Sequence, residues 1–160
     1  MIILFWILAL VLMLFCFVVF FGAPYVPTRR QDLSKIFKEV SLPRGASIID
    51  LGSGDGKLLI MAARKGYQVT GYEINPILWM TTWFRLRKYN NAHVKLKSFW
   101  RADVSQADLV FTFLATKYMS KLEKKLQKEM KPGSYFASYV FTLPNIKVIH
   151  KNKNTHFYKF

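Results

Sequence analysis

Ile48-Ile49-Asp50-Leu51-Gly52-Ser53-Gly54-Asp55-Gly56 is the stretch whose reading decides the fold. Its first half, with Ser47, has the composition of a buried strand, Ser47 to Leu51, and it runs straight into three glycines at alternate positions. Glycines between a strand and a helix adopt positive φ and let the backbone pass close to a ligand at the carboxyl edge of a sheet. The following helix is expected over Lys57 to Lys65, with Arg64 and Lys65 in its last turn and Gly66 ending it.

Working outward, Gln68 to Glu73 reads as a second strand, and Asn75-Pro76 caps a helix running to about Asn90. His93 to Lys97 and Asp108 to Leu114 read as two more strands, the latter followed by a helix from Tyr118 to Lys131. Pro132-Gly133 turns the chain into a strand at Ser134 to Phe141. Lys147 to His150 and Thr155 to Phe160 then form a hairpin about Lys151 to Asn154. Strands alternating with helices give an α/β fold, a Rossmann-like, doubly wound and mostly parallel sheet closed by an antiparallel C-terminal hairpin.

The glycine loop does not match the dinucleotide fingerprint. Its spacing is G-x-G-x-G, and the position that a third fingerprint glycine would take is Lys57. Asp50 at the strand tip would repel a pyrophosphate and attract a cation. Glu73, at the end of the second strand, stands where a carboxylate accepts both ribose hydroxyls of a nucleoside. Two carboxylates around a ligand that carries an ammonium and a ribose fit S-adenosylmethionine better than NAD.

Asp50-Leu-Gly-Ser-Gly-Asp-Gly56 together with Gly71-Tyr72-Glu73-Ile74-Asn75-Pro76 resembles the first two motifs of the class I, seven-β-strand S-adenosylmethionine-dependent methyltransferases. Pro24-Tyr25-Val26-Pro27-Thr28 and Phe113-Leu114-Ala115 are similar to segments of the membrane-anchored protein-lysine methyltransferases that act on the adenine nucleotide translocase and the ATP synthase c subunit. The resemblance implies that Asp50, Gly52 and Gly54 surround the methionine part of the cofactor and that Glu73 holds its ribose, with Ser53 and Asp55 also in the cofactor-binding set. Where that family has an acidic residue after the third strand, this chain has Ser98 followed by Phe99-Trp100, so backbone groups and stacking on Phe99 are expected around the adenine. Tyr25, Phe113 and Tyr118 are candidates to line the pocket for the methyl acceptor, or are ordinary core and rim aromatics.

The chain of 160 residues has a net charge of +15, and none of its charged residues precedes Arg29. Ile2 to Phe21 is a run of twenty apolar residues. As a helix it would be about 30 Å long, the thickness of a bilayer's hydrocarbon core. Residues 1–23 are therefore expected to be a transmembrane anchor and residues 24–160 the methyltransferase domain. Arg29, Arg30, Lys35 and Lys38 follow the run, which puts the body on the cytoplasmic side of a single-pass membrane protein. In a eukaryote the resemblance favours a mitochondrial membrane. After the turn residues, Thr28 and Gln31 stand at capping-box spacing, and Leu33, Ile36, Phe37 and Val40 form one apolar stripe.

Other classes are excluded by what is missing. Cys16, inside the apolar run, is the single cysteine, which removes disulfide frameworks, cysteine metal clusters and base-carbon methylation. His93, His150 and His156 lack metal-ligand spacing, so no metal is expected. The Asn/Asp-Pro-Pro-aromatic run of amino-methylating DNA enzymes is absent, which makes nucleic acid a poor substrate. Lys121, Lys124, Lys125 and Lys128 share one helix face, either simply solvated or drawn to anionic lipid, with nucleic acid a weaker third reading. Trp79, Trp83 and Leu86 form a stripe that reads as core rather than membrane-dipping. The expected activity is methylation of a lysine in a membrane-associated protein. A small apolar acceptor, such as a quinone or lipid headgroup, and a non-catalytic cofactor-binding module are the alternatives.

Overall fold

The structure is a computed structural model that describes residues 1–9, 12 and 30–160. Four of the five residues of β1 (Ser47–Leu51) are buried, as befits a central strand covered on both faces. Parallel partners flank it, β2 (Gln68–Glu73) on one side and β4 (Leu109–Thr112) on the other. Outside these lie β3 (Ala92–Leu96) and β5 (Tyr135–Tyr139), and the antiparallel pair β6 (His150–Asn152) and β7 (Thr155–Lys159) completes the order β3-β2-β1-β4-β5-β7-β6. The strand order reverses between β1 and β4, so the crevice where doubly wound sheets take ligands opens at the carboxyl end of β1.

Side-chain alternation divides the core between the two faces. Ile48 packs with Leu33 and Ile36 of α1 (Arg30–Glu39) and with Leu58 and Leu59 of α2 (Lys57–Arg64). Ile49 and Leu51 pack on the opposite face with Met119, Leu122 and Leu126 of α4 (Thr116–Glu129). The remaining helix, α3 (Pro76–Leu86), starts as expected at Asn75, whose Oδ1 accepts hydrogen bonds from Ile77 N at 2.9 Å and Leu78 N at 3.3 Å. It stops at Leu86, with Tyr89 N donating to Leu86 O in a tight turn, and does not continue to Asn90.

Other boundaries move for physical reasons. α4 begins two residues before Tyr118, because Ala115 adopts extended dihedrals and frees the chain to turn at Thr116. The C-terminal hairpin is shifted: β6 is His150–Asn152, not Lys147 to His150, and the turn is the two residues Lys153 and Asn154, with Lys153 at φ 51°. Glu39 at the end of α1 fixes that register. Its Oε2 lies 2.7 Å from His150 Nε2, an ion pair when the imidazole is protonated, and its Oε1 accepts from Asn152 Nδ2.

The stripe Trp79, Trp83 and Leu86 is only partly core. Leu86 is buried and Trp79 Nε1 donates to Val94 O at 3.2 Å, but Trp83 is 49% exposed. The inward face of α3 centres instead on Thr82 and Leu86. The lysine face of α4 is likewise not uniform: Lys125 turns inward to Ala102 O at 2.6 Å and to Glu129 at 2.5 Å. Lys121 lies over the Trp100 ring at 4.5 Å. Among the described residues no helix is long and apolar enough to cross a membrane. Residues 2–9 are helical, and most of the expected anchor, with Tyr25 and Thr28, lies outside the described residues.

Candidate cofactor and acceptor site

The glycine loop closes over the end of β2. Gly52 N and Ser53 N both donate to Tyr72 O, at 2.9 and 3.0 Å, and Gly52, Gly54 and Gly56 have φ of 86°, 53° and 73°. These left-handed conformations are what the alternate glycines of the sequence are for. Gly71 is required for a different reason. A Cβ there would lie 2.6 Å from Leu59 Cδ1 and 2.7 Å from Ser53 Cβ, so β2 admits the loop only because this residue has no side chain.

Glu73 is buried at the end of β2, and its two oxygens are shared between two elements. Oε2 accepts from Gly54 N and Oε1 from Asn75 N, both at 2.8 Å. Each oxygen retains acceptor capacity for a further donor. Lys97 N donates to the backbone carbonyl of Glu73 at 3.0 Å, which ties the end of β3, just before Ser98 and Phe99, to the end of β2.

Asp50 is 3% exposed at the tip of β1. Burial holds its carboxyl well above the usual range, and the neighbouring charges of Glu73 and Asp55 push it in the same direction. A buried carboxyl beside two others is an unfavourable place for another negative charge and a favourable one for a cation. Ser53 Oγ is buried with no hydrogen-bond partner, an unspent polar atom in the same loop.

Asp55, expected among the cofactor-binding residues, forms ion pairs with two helices. Its Oδ2 lies 3.2 Å from both Lys57 Nζ and Arg85 Nη1, and Arg85 also donates to Asp55 O. The loop is thus fastened to α3, where Thr82 Oγ1 donates to Gly54 O at 2.8 Å and packs where a side chain on Gly56 would be. Thr112 Oγ1 donates to Leu51 O at 2.9 Å and ties the ends of β4 and β1.

The aromatics expected to line an acceptor pocket fall into two groups. Phe113, after β4, meets Tyr139 edge-on at 4.9 Å and stacks with Phe141 at 6.2 Å. Tyr118 packs with Phe99 at 6.1 Å and Trp100 at 6.2 Å, at the end of β3 and not with Phe113. Between Tyr139 and Phe141, Val140 sits at φ 72°, a strained conformation for a β-branched residue and one often found at ligand sites. The sequence reading missed Tyr139 and Phe141, Thr82 and Arg85. Only Gly71, a glycine inside a strand, carried a local signal of close approach.

The model of the ANTKMT methyltransferase domain matches residues 50–150. The human lysine N-methyltransferase of the ATP synthase c subunit is 32% identical over 127 residues, which cover 76% of this chain and 53% of that protein. A protein-lysine N-methyltransferase of Saccharolobus islandicus is 32% identical over 126 residues, covering 75% of this chain and 78% of that one. The chain spans about half the length of the first of these relatives. In three dimensions it resembles an RNA methyltransferase from Salinibacter ruber in complex with S-adenosyl-L-homocysteine, with a TM-score of 0.76, 23% identity and coverage of 84% of this chain and 92% of that one. At that identity the likeness speaks for the fold.

Proposed function

Because the chain belongs to the ANTKMT methyltransferase domain family, we propose that it is an S-adenosylmethionine-dependent protein-lysine N-methyltransferase acting on a membrane-associated protein. The observation that carries this reading is the glycine loop folded onto Glu73 beside a buried, cation-seeking Asp50. The residues fit the cofactor. Asp50 suits the ammonium of its methionine part, Glu73 its ribose hydroxyls, and Gly52, Ser53 and Gly54 the backbone path between them. Ser98 and Phe99 take the adenine end, where Trp100 and Tyr118 support the Phe99 ring. Asp55 acts from behind, by holding the loop to α3.

When bound, the cofactor supplies a methyl group on a positively charged sulfur, already activated for in-line displacement. The protein's task is to align an acceptor and exclude water. A lysine acceptor must present a neutral amine, and an apolar aromatic wall disfavours the ammonium form. Phe113, Tyr139 and Phe141 form such a wall, and Tyr25 is proposed to join it.

The membrane part of the proposal rests on the twenty apolar residues Ile2 to Phe21 and the cations after them. Residues 1–23 act as a single-pass anchor, and residues 24–160 form the catalytic domain on the cytoplasmic side, or at a mitochondrial membrane in a eukaryote. Confining enzyme and substrate to one surface raises their effective concentration. The decisive experiment incubates the purified full chain with membranes and methyl-labelled S-adenosylmethionine and identifies the product by mass spectrometry. Label on a lysine of a membrane protein supports the proposal. Label in lipid or quinone points to a small apolar acceptor, and cofactor binding without transfer points to a non-catalytic module.

A further inference from the structure

Helix α3 turns much of its apolar surface outward. Ile77, Met80 and Phe84 are 49%, 57% and 62% exposed, and Trp83 beside them is 49% exposed. At about 3.6 residues per turn the first three form one stripe, with Trp83 along its edge. The stripe ends in cations: Arg87 lies over the Phe84 ring at 4.6 Å and Lys88 over the Tyr89 ring at 5.6 Å.

Next to this ridge is a groove of about 830 Å³ between α1, α2 and α3, whose lining sets the cations Lys57, Arg64, Arg85, Arg87 and Lys88 among apolar and aromatic side chains of α2 and α3. Among the described residues, Asp55 is the carboxylate paired with this set, through Lys57 and Arg85. Arg64 donates to Tyr89 Oη at 2.9 Å, a neutral partner. A cation-lined groove beside exposed aliphatic and aromatic side chains has two complementary demands, anionic phosphate for the groove and hydrocarbon for the ridge.

We propose that α3 and this groove form a docking surface for an anionic lipid bilayer, with headgroup phosphates in the groove and Ile77, Met80, Trp83 and Phe84 at the level of the acyl boundary. Trp side chains favour that interface, and cations near an anionic surface each add to the attraction. Single-stranded nucleic acid would satisfy the cations and stack on exposed rings, but it leaves Ile77 and Met80 in water. The net charge of +15 and the apolar run at the N-terminus both favour a bilayer as the partner. This surface lies apart from the lysine face of α4 and goes beyond the single-span anchor proposed above.

The test places an environment-sensitive fluorophore at Met80→Cys in a Cys16→Ser background of the full chain. The protein is reconstituted into nanodiscs of phosphatidylcholine with or without phosphatidylglycerol, and a matching Lys124→Cys probe reports on α4. The expected result is a blue shift and quenching by spin-labelled lipid for Met80→Cys in the anionic discs and not for Lys124→Cys. Arg87→Glu with Lys88→Glu should reduce the docked fraction about tenfold or more, at about fivefold per cation. If that variant melts early, Arg87→Gln with Lys88→Gln replaces it, with the same direction expected. The proposal is overturned by a Met80 probe that stays aqueous in anionic discs or by preferential shielding of Lys124. Shielding of Met80 by added single-stranded RNA and not by the discs overturns it too, as does equal shielding in both discs that the charge change leaves untouched.

Discussion

Glu73→Gln separates ligand recognition from loop closure, because the carboxylate serves both. In the folded chain its two oxygens accept from Gly54 N and Asn75 N at 2.8 Å. An amide has one acceptor oxygen, so one of these N–H groups is left facing an NH2 group. Losing one hydrogen bond to a charged acceptor costs about 1.5 to 3 kcal/mol. Part of that is returned, since Glu73 is one of the charges that penalise ionised Asp50. A net destabilisation of about 1 to 2 kcal/mol is expected, which for a chain of this size lowers Tm by about 2 to 8 °C. The effect on S-adenosyl-homocysteine binding should be larger, because the ribose also loses a charged, two-oxygen acceptor. A loss of about 1.5 to 3 kcal/mol corresponds to about 10- to 150-fold in Kd. Calorimetric titration with the nucleoside, alongside a thermal melt, measures both. If Kd changes less than about threefold while Tm falls, Glu73 is a structural clamp and the ribose assignment is wrong.

Gly71→Ala should lower Tm by about 3 to 10 °C, the result of about 1 to 3 kcal/mol of overpacking against Leu59 and Ser53, and should also weaken cofactor binding. Gly66→Ala, at φ 83° with open space around it, should cost about 1 to 2 kcal/mol of backbone strain and leave cofactor binding alone. Equal effects on binding would remove the steric argument for Gly71. Asp50 is protonated more readily in the folded than in the unfolded chain, so its contribution to stability declines as pH rises from the ordinary carboxylate range to its raised value. Asp50→Asn should remove that slope and raise Tm at neutral pH while abolishing cofactor binding. In the parent protein, ammonium binding should strengthen as pH rises through the same window with release of a proton, detectable by calorimetry in buffers of different ionisation heat. Glu123→Ala should free the segment after β5, because buried Glu123 accepts from both Asn145 N and Nδ2 at 2.8 Å. Hydrogen exchange at Asn145 should accelerate while α4 stays protected.

The central sheet was readable from residues 47 to 73 because strand, glycine loop and acidic strand end are local patterns with a fixed physical meaning. β1 and β2 came out with the expected bounds. The hairpin register was not readable, since it depends on Glu39 reaching His150 and Asn152 from more than a hundred residues earlier. The place of Asp55 in the motif was legible but its ion pairs were not, since Lys57 and Arg85 come from two helices. Trp83 misled for a similar reason: periodicity identifies an apolar stripe without saying which side of the helix meets the sheet. Tyr139 and Phe141 were invisible because nothing in a strand end announces that it will meet Phe113 from the neighbouring strand.

The two edge strands give part of the positive charge a purpose unrelated to any ligand. β3 and β6 bound the sheet, and each presents backbone donors and acceptors that a second sheet could pair with. β3 exposes His93 and Lys95, with Lys97 just beyond it, while β6 is three residues long and exposes Lys151, with Lys153 in the turn. Two such edges brought together would set lysine against lysine at close range. The chain is therefore protected from stacking into extended sheets by the same cations that make it basic, and replacing Lys95 and Lys97 with threonine would create an aggregation-prone edge in a protein whose fold was otherwise intact.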